Sequence, residues 1–388
     1  MQMSERQEAP PEFKFWTGAA IIGAVMRRNV WLEYFETIVP NLFVVLVGAS
    51  GQAKKSTTTD IAPALLEGFD HIYQIVGRTT PEELLGSLVR SDLRPANANA
   101  STIRMDGSAF IISSEFTSLL EGQERMLGLL GDLYKSPKRW DYKTKNMGRF
   151  KLENVAVSLL AASTPKWLRK CIPDSEVGEG FVGRTLWIAS TKVPARIAWP
   201  DANYRRKDDI KRLRDDLLAM SDRYGEFHLE KDAVATFTTW YEGLKVLSDE
   251  RVQAFEERKH VNVLKLAMIC TLDLQADLII NNEMIKSCIK MVDAVAMKVP
   301  DALMHVGTPT LSADAAHIFK VIRSVGGVID HANLQRRLSY KLDAESLARA
   351  LMQLELEDRI TVEYRRVNPK RKPQRVYSIT EEREENVG

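Results

Sequence analysis

The sequence predicts an α/β protein built on a parallel sheet, followed by a helical region and a small C-terminal domain of three helices and a β-hairpin. Three observations carry this. Short apolar runs such as Leu42–Val47 alternate with helical periodicity over residues 13–195, the pattern of doubly buried strands with helices between them. Residues 201–305 keep helical periodicity almost throughout. After Gly307-Thr308-Pro309-Thr310 the pattern changes again, to capped helices and a basic strand pair.

Taken in order, residues 1–12 read as a disordered polar tail, and MQMSERQEAPPEF lacks the apolar centre of a signal peptide. Residues 13–29 place Phe15, Trp16, Ala19, Ile22, Val25 and Met26 at mostly helical spacing. Val30–Phe35 and Leu42–Val47 read as strands, a helix is expected from Ser56 to about Glu67, and Asp70–Val76 reads as a strand. Pro81 opens the next helix at its first position. Ala109–Ser113 is another buried strand, then a helix around Leu119–Leu133, then strands at Val155–Ala161 and Thr185–Ala189. The core therefore spans 13–195 and an all-helical lid 196–306, with helices at Ile210–Met220, Lys231–Leu247 and Val261–Leu274. Beyond the linker, over 310–388, Ala313–Arg323 is an amphipathic helix, Gly326-Gly327 a turn, and Asp330 and Asp343 cap helices ending at Leu338 and Leu356. Strands at Ile360–Arg365 and Arg375–Ile379 complete a winged-helix form of the helix-turn-helix.

Composition narrows the partners little. Across 388 residues, 54 basic and 52 acidic side chains leave a net charge of +2, so any nucleic-acid footprint must be local. Cys171, Cys270 and Cys288 have no paired spacing and the six histidines are scattered, which argues against a zinc site or disulfide framework. No apolar run is long enough for a transmembrane helix. The expectation is a soluble, cytoplasmic chain with no membrane partner.

Residues 44–57, VVLVGASGQAKKST, join a buried strand to a phosphate-cradling loop and a helix. Such a loop needs glycines for close backbone approach, a lysine for the β- and γ-phosphates, and a hydroxyl for Mg2+. Gly48, Gly51, Lys54, Lys55, Ser56 and Thr57 supply these parts, so ATP and Mg2+ are the expected cofactors. The spacing departs from GxxxxGK[ST]: counted from Gly48 the lysine is Lys54, counted back from the hydroxyl it is Lys55. The hydroxyl rule selects Lys55 with Ser56.

The second buried strand ends FIISSEF, offering Glu115 to polarise water and Ser114 where a metal-ordering aspartate is expected. The next ends AASTP, placing Ser163 or Thr164 between the other two strand ends. In GEGFVGRTLWI, Arg184 leads a strand after a glycine-rich turn, placed to reach a neighbouring subunit's nucleotide. Residues 138–153, KRWDYKTKNMGRFKLE, read as a hairpin around Asn146-Met147-Gly148, with Lys143, Lys145 and Arg149 near its tip as candidate contacts to a nucleic-acid strand. Trp140 and Tyr142 either stack on bases or pack the hairpin's root. On the C-terminal wing, Arg365, Arg366, Lys370, Arg371 and Lys372 form a basic run suited to duplex phosphates.

Together, Gly48–Thr57, Glu115, the hairpin, Ser163/Thr164 and Arg184 resemble AAA+ P-loop ATPases with a pre-sensor β-hairpin. The Pro40-Asn41-Leu42 lead-in, the KKST loop and the GFVGR turn are most similar to helicase-like ATPases of phages, plasmids and integrated elements, including primase-associated ones. The lid and winged helix are similar to minichromosome-maintenance helicases. The resemblance implies a homo-oligomeric ring, a hexamer, that threads single-stranded DNA through its pore and holds duplex at the winged helix, with a primase or polymerase as a further partner. It also implies that Arg258, before the VLKLAMI helix, is a second sensor reaching the nucleotide. The leading expectation is an ATP-driven helicase or translocase for mobile-element replication. The alternatives are an ATP-regulated initiator or helicase loader, and a winged-helix regulator with a degenerate ATPase.

Overall fold

The computed structural model describes residues 8–380, apart from 50–52, 90, 93–103, 121–124, 145–147, 173–179, 191–196, 200–206, 248, 275–276, 304–309, 340–341 and 366–373. The chain divides into two compact units, Met1–Val306 and Gly307–Gly388.

The first unit is α/β. Its main sheet has five strands, β1 (Phe43–Val47), β2 (Gln74–Val76), β3 (Ser108–Ser113), β4 (Ala156–Ser163) and β5 (Leu186–Ala189). They lie in the order β5-β1-β4-β3-β2, every pair parallel. All residues of β1, β3, β4 and β5 are buried. Successive side chains of a strand point to opposite faces, so both faces of these four strands are covered. The helix Pro11–Met26 packs against β1, β4 and β5, and the aromatic core includes Phe13, Phe43, Phe110, Phe116, Phe181 and Trp187.

Two features of this unit differ from the sequence expectation. The region after residue 196 is not all helical: Gly225–Leu229 pairs in parallel with Val30–Glu33, and Ile279–Ile280 pairs in parallel with Gly225–Leu229. These short strands make a second sheet with Thr37–Ile38 at its other edge. They are short enough to be lost within helical periodicity, and their partner lies far earlier in the chain. The expected helix from Ser56 is two helices, Lys55–Thr59 and Ile61–Leu65. The hydroxyls of Thr58 and Thr59 bond to the carbonyls of Lys54 and Ser56, and Pro63 brings no N–H to the ladder, two local conditions that disfavour one continuous helix. Cys270 and Cys288, distant in sequence, are hydrogen-bonded thiols, and that contact with burial pushes the Cys288 pKa up. Among the described residues no helix is long and apolar enough to cross a membrane.

The second unit runs helix Thr310–Ser324, strand Val328–Asp330, helix His331–Leu338, helix Ala344–Leu356, then strands Ile360–Arg365 and Gln374–Ile379. Gln374–Ile379 is the central strand, antiparallel to both others. Asp330 and Asp343 accept the backbone N–H of Asn333 and Ser346 at 2.9 and 2.8 Å, the caps their positions called for. Val328–Asp330, which the sequence leaves without an element between the Gly326-Gly327 turn and the Asp330 cap, is a strand. Ile318, Ile322, Leu334, Leu338, Leu347 and Leu354 form this unit's own core.

Candidate functional site

The loop after β1 closes tightly. A Cβ on Gly48 would stand 2.8 Å from the Cβ of Ala53, so only glycine fits there. Gly51 lies outside the described residues. Lys54 is exposed in the left-handed conformation, φ 48°, and pairs with Glu8 at 2.8 Å. Lys55 opens the following helix and its Nζ turns back, donating to the carbonyls of Gly48 at 2.7 Å and Ala49 at 2.9 Å. Burial lowers the pKa of this half-buried ammonium. Ser56 and Thr57 are exposed beside it.

Three strand ends meet here. Ser163 pairs with Val47 across β4 and β1, and its carbonyl accepts the Gly48 N–H at 3.3 Å. β3 lies on the far side of β4, so β1 and β3 end roughly 10 Å apart. Just past β3, Ser114 and Glu115 are exposed, while the hydroxyls of Ser113 and Ser118 fix the Glu115 carbonyl at 2.8 and 2.7 Å. Thr164 is already engaged: its hydroxyl accepts the Trp167 N–H at 3.3 Å and caps the helix Pro165–Cys171. Of that pair, buried Ser163 is the residue placed between the strand ends. Among the described residues no cluster of three His, Cys, Asp or Glu side chains forms a metal site. The Ser56 hydroxyl and Glu115 carboxylate are hard oxygen donors, a set that fits Mg2+ when phosphate oxygens and water supply most of the shell.

Arg184 and Arg258 belong to the opposite edge of the sheet. Gly180–Arg184, expected as a glycine-rich turn leading directly into the strand, is a single helical turn, and the strand starts at Leu186; hydrogen bonds from Thr185 Oγ1 to Phe181 O and from Trp187 Nε1 to Val182 O fix it. It precedes β5, and all five strands are parallel, so it lies where they begin; Lys55 lies where β1 ends. β1 alone is roughly 17 Å long. The helix Glu250–Glu256 approaches so closely that a Cβ on Gly183 would run into the Ala254 carbonyl and stand 2.9 Å from the Arg258 guanidinium. Arg184 and Arg258 thus line one cavity of about 290 Å³, with Asn41, Tyr134 and Lys265 in its wall. Burial, then the charge of Arg258, lowers the Arg184 pKa. The structure brings Arg258 to Arg184, not to the Lys55 loop of the same chain.

The hairpin before β4 pairs Arg139–Thr144 with Gly148–Glu153. Trp140, Tyr142, Phe150 and Leu152 share one face and pack against the core, so the two aromatics root the hairpin. Arg139, Lys143, Arg149 and Lys151 are exposed on the other face. Asp141 pairs with Arg149 there, and that hydrogen bond lowers its pKa. Lys145 lies outside the described residues. In the second unit Arg365 ends its strand, and Arg366, Lys370, Arg371 and Lys372 lie outside the described residues. Arg375 donates to the Tyr364 hydroxyl at 2.9 Å.

Sequence reasoning missed the residues behind Arg184. Lys265 is fully buried in the helix Lys259–Leu274, and its Nζ donates to Asn41 O and Oδ1. The available signal was a lysine in the middle of the apolar run VLKLAMI. Comparison with known proteins finds no family model that matches this chain and no curated relative similar to it.

Proposed function

We propose that the chain is a P-loop ATPase that works as a ring, an ATP-driven helicase or translocase acting on DNA. The observation that carries the reading is the convergence at one sheet edge of the Gly48–Thr57 loop, Ser163 and Glu115, with Lys55 Nζ curled onto its own loop carbonyls. Those carbonyls occupy donors that phosphate oxygens would take. In this reading Gly48, Lys55 and Ser56 hold the ATP phosphates, Glu115 orients the attacking water, and Ser163 contacts the γ-phosphate or that water. Mg2+, held by Ser56 and Glu115 with Ser114 touching a metal-bound water, would neutralise phosphate charge.

A second feature supports an assembly. One chain puts Lys55 and Arg184 at opposite edges of the same sheet, so the two meet only between copies. A head-to-tail contact of that kind closes into a ring when the rotation permits, and a hexamer is the ring this reading favours. Arg184 and Arg258 then act on the neighbour's phosphates. The exposed basic face of the hairpin suits a single strand, with Lys143, Lys145 and Arg149 on backbone phosphates.

The element order and antiparallel sheet of 307–388 support a winged helix that holds duplex through Arg365, Arg366, Lys370, Arg371 and Lys372, with a primase or polymerase as a partner in mobile-element replication. Ser114, an alcohol in place of a second carboxylate, favours one alternative: an ATP-regulated initiator or loader with slow turnover. Measuring ATPase stimulation by single-stranded DNA and strand separation on one preparation tests the choice. A helicase gives both; ATP binding without either supports the loader.

A further inference from the structure

Lys265 is a costly residue for its place. It is 3% exposed, and its ammonium has no carboxylate within ion-pairing distance among the described residues. Its partners are neutral: Asn41 O at 3.0 Å, Asn41 Oδ1 at 2.6 Å, and the face of Tyr134, 3.7 Å from the ring centre. Removing a charge from water is costly, and an apolar side chain of similar volume commonly packs at no loss. The cavity beside it is lined by further cations, Arg184, Arg258 and Lys135, and by the carboxylate of Glu36, with His260, Tyr34 and Tyr134 also in its wall; Asp132 pairs with Lys135 at 3.7 Å and adds a second negative charge near Arg184. Burial, then the charge of Arg184, holds the Lys265 pKa well below the ordinary lysine value. An anion in the cavity would relieve this excess of positive charge.

Its acceptors are equally informative. Asn41 is 1% exposed, and its Nδ2 donates to Tyr134 O at 3.1 Å and Val157 O at 2.9 Å. Tyr134 ends the helix that leads into the hairpin, and Val157 is the second residue of the strand that leaves it. Tyr134 Oη donates to Asn262 Oδ1 at 2.8 Å, one turn from Lys265 on the same helix. Asn41 itself precedes β1, which carries the Lys55 loop. One buried ammonium therefore touches Asn41 and Tyr134 directly, and through the Asn41 amide it is linked to Val157 on the far side of the hairpin.

We propose that Lys265 is a positioning residue: a phosphoryl group entering the Arg184–Arg258 cavity draws it away from Asn41, and the change passes through Asn41 and Tyr134 to the hairpin. This rests on the reading of Arg184 as a phosphoryl-binding arginine. The two arrangements of Lys265, on Asn41 or on the phosphoryl group, are the two-state element such coupling requires.

The test uses the full chain carrying Lys55→Ala, so that the loop is disabled, with tripolyphosphate as the probe. Binding is measured by calorimetry and hairpin opening by amide hydrogen exchange over 139–153. The probe is expected to change hairpin exchange by about threefold or more. Adding Lys265→Met should leave binding within about tenfold, the loss of one charge contact, and abolish the exchange response. Lys265→Gln, which keeps a donor for Asn41, answers the same question if the methionine variant does not fold. An exchange response that survives both substitutions overturns the relay, as does absence of any binding that Arg184→Ala and Arg258→Ala abolish. In that last case ATP turnover by the chain with Lys55 intact would still stand, so the two failures are separable.

Discussion

Lys54 and Lys55 are adjacent in sequence and opposite in circumstance. Lys54 extends to Glu8 in solvent, whereas Lys55 turns its ammonium over the loop. A charge-assisted contact to phosphate is worth roughly 1.5–3 kcal/mol, so Lys55→Ala should weaken nucleotide binding by about ten- to a hundredfold. Lys54→Ala removes an exposed ion pair and should cost about threefold or less. Titration with a fluorescent ATP analogue checks both, and the reverse ranking would move the phosphate lysine to Lys54. The sequence nominates Lys55 over Lys54 because a hydroxyl, Ser56, follows it directly. Lys265 was not legible: its importance comes from Asn41 and Tyr134, which the fold brings to it from distant segments.

At the scale of elements, local chemistry could be read and long-range pairing could not. Thr80, Asp330 and Asp343 cap the helices they precede, each through a contact three residues away. The strands Gly225–Leu229 and Val328–Asp330 depend on partners remote in sequence, which periodicity along the chain does not show. The caps carry a pH signature. Hydrogen bonds from the Asn333 N–H lower the Asp330 pKa in the folded state. A lowered carboxyl pKa contributes stability above the unfolded value, and that contribution is lost as pH falls through the folded value. Asp330→Ala should therefore cost about 1 kcal/mol at neutral pH, and the part of that difference carried by the carboxylate charge should be lost as pH falls through its lowered folded pKa. Hydrogen exchange in the helix His331–Leu338 reads it; a difference independent of pH would assign the loss to something other than the charged cap.

The hairpin is legible as an element, with its aromatic root and basic face, although its tip lies outside the described residues. Asp141 already neutralises Arg149 in part, so Lys143 and Lys151 carry the freer charge on that face. Lys143→Ala with Lys151→Ala should leave basal ATPase within about twofold and lower single-strand affinity, flattening its salt dependence by up to about two units in log–log slope. Stimulated ATPase measured across a salt series decides it. An unchanged slope would remove the hairpin from the nucleic-acid contact.

At the scale of the whole molecule, the parallel order β5-β1-β4-β3-β2 separates what one site would need. Lys55, Ser163 and Glu115 lie where strands end, and Arg184 and Arg258 lie where they begin. The sequence could nominate these residues but not assign them to edges, because edge position follows from strand order and direction together. If a second copy completes the working site, mixing two inactive variants restores activity. Lys55→Ala chains lack the loop lysine but keep Arg184; Arg184→Ala chains keep the loop but lack the arginine. Each alone should bind DNA with little ATP turnover. An equal mixture should recover about a quarter of wild-type ATPase, since random head-to-tail assembly pairs an intact loop with an intact arginine at one interface in four. Recovery near that level supports a shared site; no recovery at any ratio, or full turnover by monomeric Arg184→Ala chains, would contradict it.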